Sequence, residues 1–311
     1  MATSLFGKDI LDVQSISDDE VRLIMDTAAR YERVMDNGGR LLNMSGRTLA
    51  TLFYEPSTRT RLSFEVAMLR LGGTVISVAD GQVSSSAKKG ETLYDTGKMM
   101  ESYADVTVIR HPVTGSAAEL AAGSSKPVIN GGDGAGQHPT QALLDMYTMI
   151  KEQGKIEGLT ICLAGDLKNG RTVHSGAALL ARMGVNFVFT APEALAMPDK
   201  ITKDLKAKGV KVEVVPDLDK AVAMSDVLYM TRIQQERFED PAEYERLKTS
   251  FEVTKGTIKK AKKNMTIMHP LPRVTEIKVD VDDYKGAAYF RQAANGVPVR
   301  MALLALVTGC E

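Results

Sequence analysis

A chain of 311 residues is longer than most single hydrophobic cores support, so two domains are expected. Lys plus Arg number 39 and Asp plus Glu 39. This balance argues against a nucleic-acid or membrane surface, because both need a net basic face.

In chain order, Ser17 with Glu20 has the pattern of a capping box and predicts a helix to about Met35. Residues 48–54 read as a buried strand that runs into Glu55-Pro56-Ser57-Thr58. A helix follows with Leu62, Val66 and Leu69 on one face, and Gly72-Gly73 stops it. Further strands are predicted at 74–79, 106–110 and 127–130, with helices between them. After residues 154–158 the pattern restarts, with strands at 160–164, 185–190, 211–215, 227–230 and 266–268. Continuous apolar strands separated by helices imply parallel sheets covered on both faces. The fold class is therefore α/β, with two doubly wound parallel-sheet domains linked by helices near residues 135–155. A last amphipathic helix is expected over about 297–307.

Only Cys162 and Cys310 are present, and no Cys/His pair has zinc spacing. Two distant thiols predict no disulfide framework, a reducing cytoplasm and no metal site. Asp9, Asp12 and Asp18 make the beginning of the chain too polar for a signal peptide or anchor, and the apolar run 301–307 is too short to span a bilayer. Neither nucleic acid nor membrane is expected as a partner.

Strand, sharp turn and helix together aim free backbone N–H groups and the positive end of the helix dipole at an anion. At the first such turn Ser57, Thr58 and Thr60 add hydroxyls, and Arg59 and Arg61 add guanidinium forks suited to phosphate. The alternative is a simple cap with solvated arginines, and Arg61 is the arginine more easily assigned to structural partners. Gly132-Asp133-Gly134-Ala135-Gly136 lacks dinucleotide spacing, and no Walker loop occurs. The phosphate is thus expected on a small substrate, and no cofactor is called for.

His111, His138 and His269 each precede proline, which favours extended backbone and marks strand ends, where parallel sheets bind ligands. His138 stands near Gln141 after a flexible glycine loop and reads as functional, whereas His111 and His174 read as structural hydrogen-bonding groups. Arg110, Arg171 and Arg232 (with Gln234) follow predicted strands at equivalent positions and suggest a pocket for several negative charges. The loop from Ser84 to Glu91 reads either as a solvated connection or as a lid carrying a lysine to the anion.

Three motifs together resemble the aspartate and ornithine carbamoyltransferase family. They are Phe53-Tyr54-Glu55-Pro56-Ser57-Thr58-Arg59-Thr60-Arg61, His138-Pro139-Thr140-Gln141 and His269-Pro270-Leu271-Pro272. The resemblance covers essentially the whole chain. Pro270 stands where the ornithine branch carries cysteine, and no Ser-Met-Gly loop occurs. Met230-Thr231-Arg232-Ile233-Gln234 and Lys88-Lys89-Gly90-Glu91-Thr92 are similar to the aspartate branch.

The resemblance implies transfer of a carbamoyl group from carbamoyl phosphate to L-aspartate, a step of pyrimidine biosynthesis. It implies an active site in the cleft between a carbamoyl-phosphate domain (1–145 plus a C-terminal helix 292–311) and an aspartate domain (146–291). The implied carbamoyl-phosphate ligands are Ser57, Thr58, Arg59, Thr60, Ser85, Arg110, His138, Gln141, Pro270 and Leu271. Those for aspartate are Lys89, Arg171, Arg232, Gln234 and Leu271. Arg59, Thr60, Lys89, Arg110 and His138 carry the implied catalysis, and Leu271-Pro272 is implied to be cis. The resemblance further implies a homotrimer whose sites share Ser85 and Lys89 across subunits. The stretch His111-Pro112-Val113-Thr114-Gly115-Ser116-Ala117-Ala118 resembles relatives that assemble with a zinc-containing regulatory chain.

Overall fold

Among the described residues, two all-parallel sheets organise the chain, one of four strands and one of five. The computed structural model describes residues 3–81, 90–233, 240–247 and 251–311. The chain forms two units, Met1–Leu143 with Asn295–Glu311, and Leu144–Ala294.

In the first unit, helix α1 (Asp18–Asp36) begins at the expected capping box: Ser17 accepts from the Glu20 N–H, and Glu20 accepts from the Ser17 N–H at 2.7 Å. Strands β1 (Thr48–Phe53), β2 (Thr74–Val78), β3 (Val106–His111) and β4 (Val128–Asp133) lie in the order β2-β1-β3-β4. The central strands are buried almost throughout, because helices cover both faces of a parallel sheet. The edge strand β2 is largely exposed. Helix α2 (Thr58–Arg70) joins β1 to β2, and Gly72 leaves it with φ 81°. Between the remaining strands lie α3 (Leu93–Tyr103) and α4 (Ser116–Ala122), and α5 (Pro139–Gln153) follows β4.

In the second unit, β5 (Thr160–Ala164), β6 (Asn186–Thr190), β7 (Val212–Val214), β8 (Val227–Met230) and β9 (Thr266–Met268) lie in the order β7-β6-β5-β8-β9. The connecting helices are α6 (Arg171–Leu180), α7 (Asp199–Ala207), α8 (Leu218–Met224), α9 (Pro241–Leu247) and α10 (Lys255–Ile258). Cys162, Val188, Leu228 and Ile267 from adjacent strands form one buried cluster with Tyr289.

Two helices differ from expectation. In α2 the buried residues are Thr60, Phe64, Ala67 and Met68, whereas Leu62 and Leu69 are exposed. The helix is apolar on more than one side, so periodicity alone did not reveal which face meets its own sheet. The last helix, α11 (Tyr289–Thr308), starts earlier than expected and passes through Pro298. It is not amphipathic over its second half, because every residue from 298 to 307 is buried.

Candidate active site

The strand orders locate a crevice in each unit. From β1 the chain adds β2 on one side and β3 and β4 on the other, so the loops leaving β1 and β3 diverge. In the second sheet the same reversal falls between β5 and β8. A reversal of this kind opens a crevice at the carboxyl ends of the strands, where α/β sheets bind ligands.

The residues of the first turn stand at the β1/β3 reversal. Ser57 occupies the N-cap of α2 but makes no side-chain capping bond. The side chains of Ser57, Thr58, Arg59 and Thr60 make no hydrogen bond or ion pair with any described residue. Burial lowers the Arg59 pKa, with no carboxylate of the described residues acting against it. Arg61 differs: its Nη1 donates to Glu65 Oε1 at 3.2 Å and to Ser77 Oγ at 3.1 Å. Thr51 and Ser77 also donate to Glu65, tying α2 to β1 and β2. The turn therefore offers an anion hydroxyls, a guanidinium and a helix N-terminus.

Arg110 projects from the end of β3, paired in register with Phe53 of β1. It is buried, and it donates to the Gly131 carbonyl and to Glu55 Oε1, each at 3.1 Å. Buried His138 and partly buried Gln141 begin α5 after β4, the next strand across. The glycine loop before His138 is held rather than free. Asp133 accepts from the backbone N–H of Gly115 at 2.8 Å and of Gln137 at 2.7 Å, and Asn130 Oδ1 accepts from Gly132. Nearby, buried Arg300 stacks 4.9 Å over Phe64 and donates to Thr140 Oγ1 at 3.3 Å. Local sequence pattern points to no role for Glu55, Asp133 or Arg300. An acid inside a glycine run was the available signal for Asp133.

His111 and His174 make structural hydrogen bonds. His111 Nδ1 bonds Ser116 Oγ at 2.7 Å, and His174 Nε2 bonds the Leu167 carbonyl at 2.8 Å.

In the second unit Arg171 is the first residue of α6 after β5, and Arg232 follows β8, so the two flank the β5/β8 reversal. Gly165 lets the chain after β5 approach the chain after β8: at φ 103°, a Cβ there would lie 2.3 Å from the Thr231 carbonyl oxygen. Pro270 and Leu271 follow β9, the neighbour of β8. Leu271-Pro272 is cis, as the resemblance implied, and Leu271 has φ 57°. Behind this loop His269 bonds Glu276 at 2.7 Å, with both side chains buried.

Ser85, Lys89 and Gln234 lie outside the described residues. No group of three His, Cys, Asp or Glu able to hold a metal occurs among the described residues. No described helix is long and apolar enough to cross a membrane.

Two family descriptions match the chain: the carbamoyl-P binding domain of aspartate/ornithine carbamoyltransferase over residues 8–151, and its Asp/Orn binding domain over 157–307. The chain belongs to the aspartate/ornithine carbamoyltransferase family. Its relatives include the aspartate carbamoyltransferase catalytic subunit of Thermococcus kodakarensis, 52% identical over 303 residues and 97% of each chain. That of Leptospira biflexa is 51% identical over 302 residues, again 97% of each. Among solved structures, aspartate transcarbamoylase from Trypanosoma cruzi in complex with carbamoyl phosphate superposes with a TM-score of 0.91 at 40% identity, covering 97% of each chain. The catalytic subunit of M. Jannaschii aspartate transcarbamoylase gives 0.89 at 47% identity, covering 95% of this chain and 96% of that one.

Proposed function

We propose that this chain transfers the carbamoyl group of carbamoyl phosphate to the amino group of L-aspartate, giving N-carbamoyl-L-aspartate and phosphate, a step toward pyrimidines. One observation carries the reading: Ser57, Thr58, Arg59 and Thr60 stand at a sheet reversal with their side-chain donors unengaged by any described residue, while the adjacent Arg61 is engaged. An ordinary cap would use its own hydroxyl. The T. cruzi relative has been solved with carbamoyl phosphate and with aspartate, which supports the same substrates here.

In the proposed reaction the amine attacks the carbamoyl carbon and a C–N bond forms. The bond between the carbamoyl carbon and the bridging oxygen then breaks, and phosphate departs with that oxygen and the amine proton. Ser57, Thr58 and Arg59 hold the phosphate. Thr60, Arg110 and His138 stabilise the tetrahedral oxyanion as fixed donors. Gln141 and the carbonyls of Pro270 and Leu271 orient the carbamoyl NH2. Arg171, Arg232 and Gln234 hold the aspartate carboxylates, a dicarboxylate needing several cations. In this reading residues 1–145 with 292–311 form the carbamoyl-phosphate domain and 146–291 the aspartate domain.

We further propose a cytoplasmic homotrimer in which Ser85 and Lys89 of one subunit complete a neighbour's site. Exposed Leu62 and Leu69 on α2, with Ile76 on the edge strand β2, support a subunit contact on that side of the first unit. The relatives' designation as catalytic subunits supports a separate regulatory chain. The test is phosphate release from carbamoyl phosphate with aspartate against ornithine as acceptor. Release with aspartate alone is expected, and release with ornithine alone would replace the aspartate assignment.

A further inference from the structure

A continuous run of buried hydrogen bonds lies behind residues 270–272. The Leu271 N–H donates to His269 Nδ1 at 2.8 Å. That nitrogen must therefore be unprotonated, so the ring hydrogen sits on Nε2. Nε2 lies 2.7 Å from Glu276 Oε1, which accepts it. The other carboxylate oxygen of Glu276 accepts from the backbone N–H of Thr275 at 2.9 Å and of Val274 at 3.1 Å. The backbone N–H of His269 donates separately to Gln292 Oε1 at 2.8 Å. Gln292 Nε2 then donates to Asp145 Oδ1 at 2.7 Å, and Asp145 Oδ2 accepts the Tyr229 hydroxyl at 2.7 Å. His269, Glu276, Gln292 and Asp145 are each 4% exposed or less.

From this geometry we infer that Glu276 and His269 are positioning residues. Glu276 fixes the Nε2–H tautomer of His269, and the bare Nδ1 then holds the Leu271 backbone N–H, aiming the loop carbonyls at the carbamoyl amide. The inference rests on the carbamoyl-transfer reading of the site. Three features make the arrangement directional. A carboxylate can only accept, so Glu276 demands the ring proton on its own side. Burial disfavours an imidazolium, which would put a donor against the Leu271 N–H. Leu271 has a left-handed φ of 57°, a backbone state that a residue with a Cβ adopts at a cost, so its N–H direction depends on a partner.

Two isosteric replacements separate the two ends of the ring. His269→Asn keeps an acceptor near the place of Nδ1, whereas His269→Gln keeps a donor near the place of Nε2. Loss of the Leu271 anchor is expected to misplace the carbonyls and lower kcat/KM for carbamoyl phosphate by about 100-fold in His269→Gln. His269→Asn should lose less than about 10-fold, the Leu271 bond being retained. Inorganic phosphate, which has no carbamoyl amide, should bind both variants as it binds wild type. Equal losses in the two variants, or a parallel loss of phosphate affinity, would overturn the positioning role. The wild-type protein offers a check independent of variants, since the chain has only four histidines. Long-range 15N–1H correlation should find His269 protonated on Nε2 alone, and a proton on Nδ1 would refute the inference. Wild type that turns over no carbamoyl phosphate would instead sink the functional reading while leaving the tautomer result standing.

Discussion

Arg61 lies 3.2 Å from Glu65 one turn along the same helix, and this pairing separates it from Arg59 two residues earlier. Both guanidiniums sit in the first turn of α2, yet among the described residues only Arg61 pairs with another side chain. Arg59→Ala should therefore lower kcat/KM for carbamoyl phosphate by about 100- to 1,000-fold, about 3–4 kcal/mol, by analogy with a lost oxyanion donor. Its urea midpoint should stay near that of wild type. Arg61→Ala should instead cost about 1–2 kcal/mol of stability by removing a hydrogen-bonded, partly buried charge pair. Phosphate-release kinetics and urea titration of both variants check the contrast. A destabilised Arg59→Ala with intact turnover would reverse the two assignments.

Mixed trimers test the shared site. Arg59→Ala and Lys89→Ala chains, each strongly impaired alone, should regain part of the wild-type turnover when dissociated and reassembled together. A mixture that stays inactive at every ratio, while mass measurements show that hybrids have formed, would place Lys89 in its own subunit's site.

Gly165→Ala should impair the acceptor side. The new methyl would meet the Thr231 carbonyl oxygen at 2.3 Å on a backbone held at φ 103°. Strain of this kind costs about 1–3 kcal/mol, and relief requires the loops after β5 and β8 to part. The KM for aspartate should rise at least tenfold while inorganic phosphate binds as before. Unchanged aspartate kinetics would mean that the Gly165–Thr231 contact does not set the acceptor pocket.

Stability should fall with acid through the His269–Glu276 pair. Burial holds the His269 imidazole below its ordinary 6.5; Glu276 works against that shift, and Arg232 and Arg273 add to it. Burial alone would raise Glu276, but the His269 hydrogen bond and backbone N–H groups bring its carboxyl below 4.5. In both cases the unfolded chain binds the proton more readily than the folded one. The His269 contribution is thus complete above about pH 6.5 and is lost as pH falls below it, and the Glu276 contribution follows below about 4.5. Urea midpoints from pH 8 to pH 5 should decline in wild type and decline less in His269→Asn.

Much of the architecture was legible because parallel strands buried on both faces are written as short apolar runs. Strands β5, β8 and β9 occupy the residues expected, and β1 ends one residue early. The first turn stood out as an anion-site candidate because donor residues are crowded at one helix start, and its helix begins where expected. The buried face of α2 was not, since Leu62 and Leu69 belong to a surface that its own sheet does not cover. The extent of α11 was hidden by Pro298, which reads as a helix start although the helix continues through it. Long-range polar support was invisible as well. Glu55 meets Arg110 across 55 positions, and Asp145 meets Gln292 across 147, distances over which local pattern carries no signal.

Each sheet grows outward in both directions from a founding strand, β1 in one unit and β5 in the other. The turn that would grip the donor's phosphate and the loops that would grip the acceptor's carboxylates thus hang from separately wound frameworks. In evolutionary terms the amino-acid acceptor becomes a separable trait. Sequence drift after β5 and β8 can retarget the enzyme while the turn after β1 is inherited unaltered. Such a division of labour suits a lineage that keeps one activated donor and diversifies what receives it.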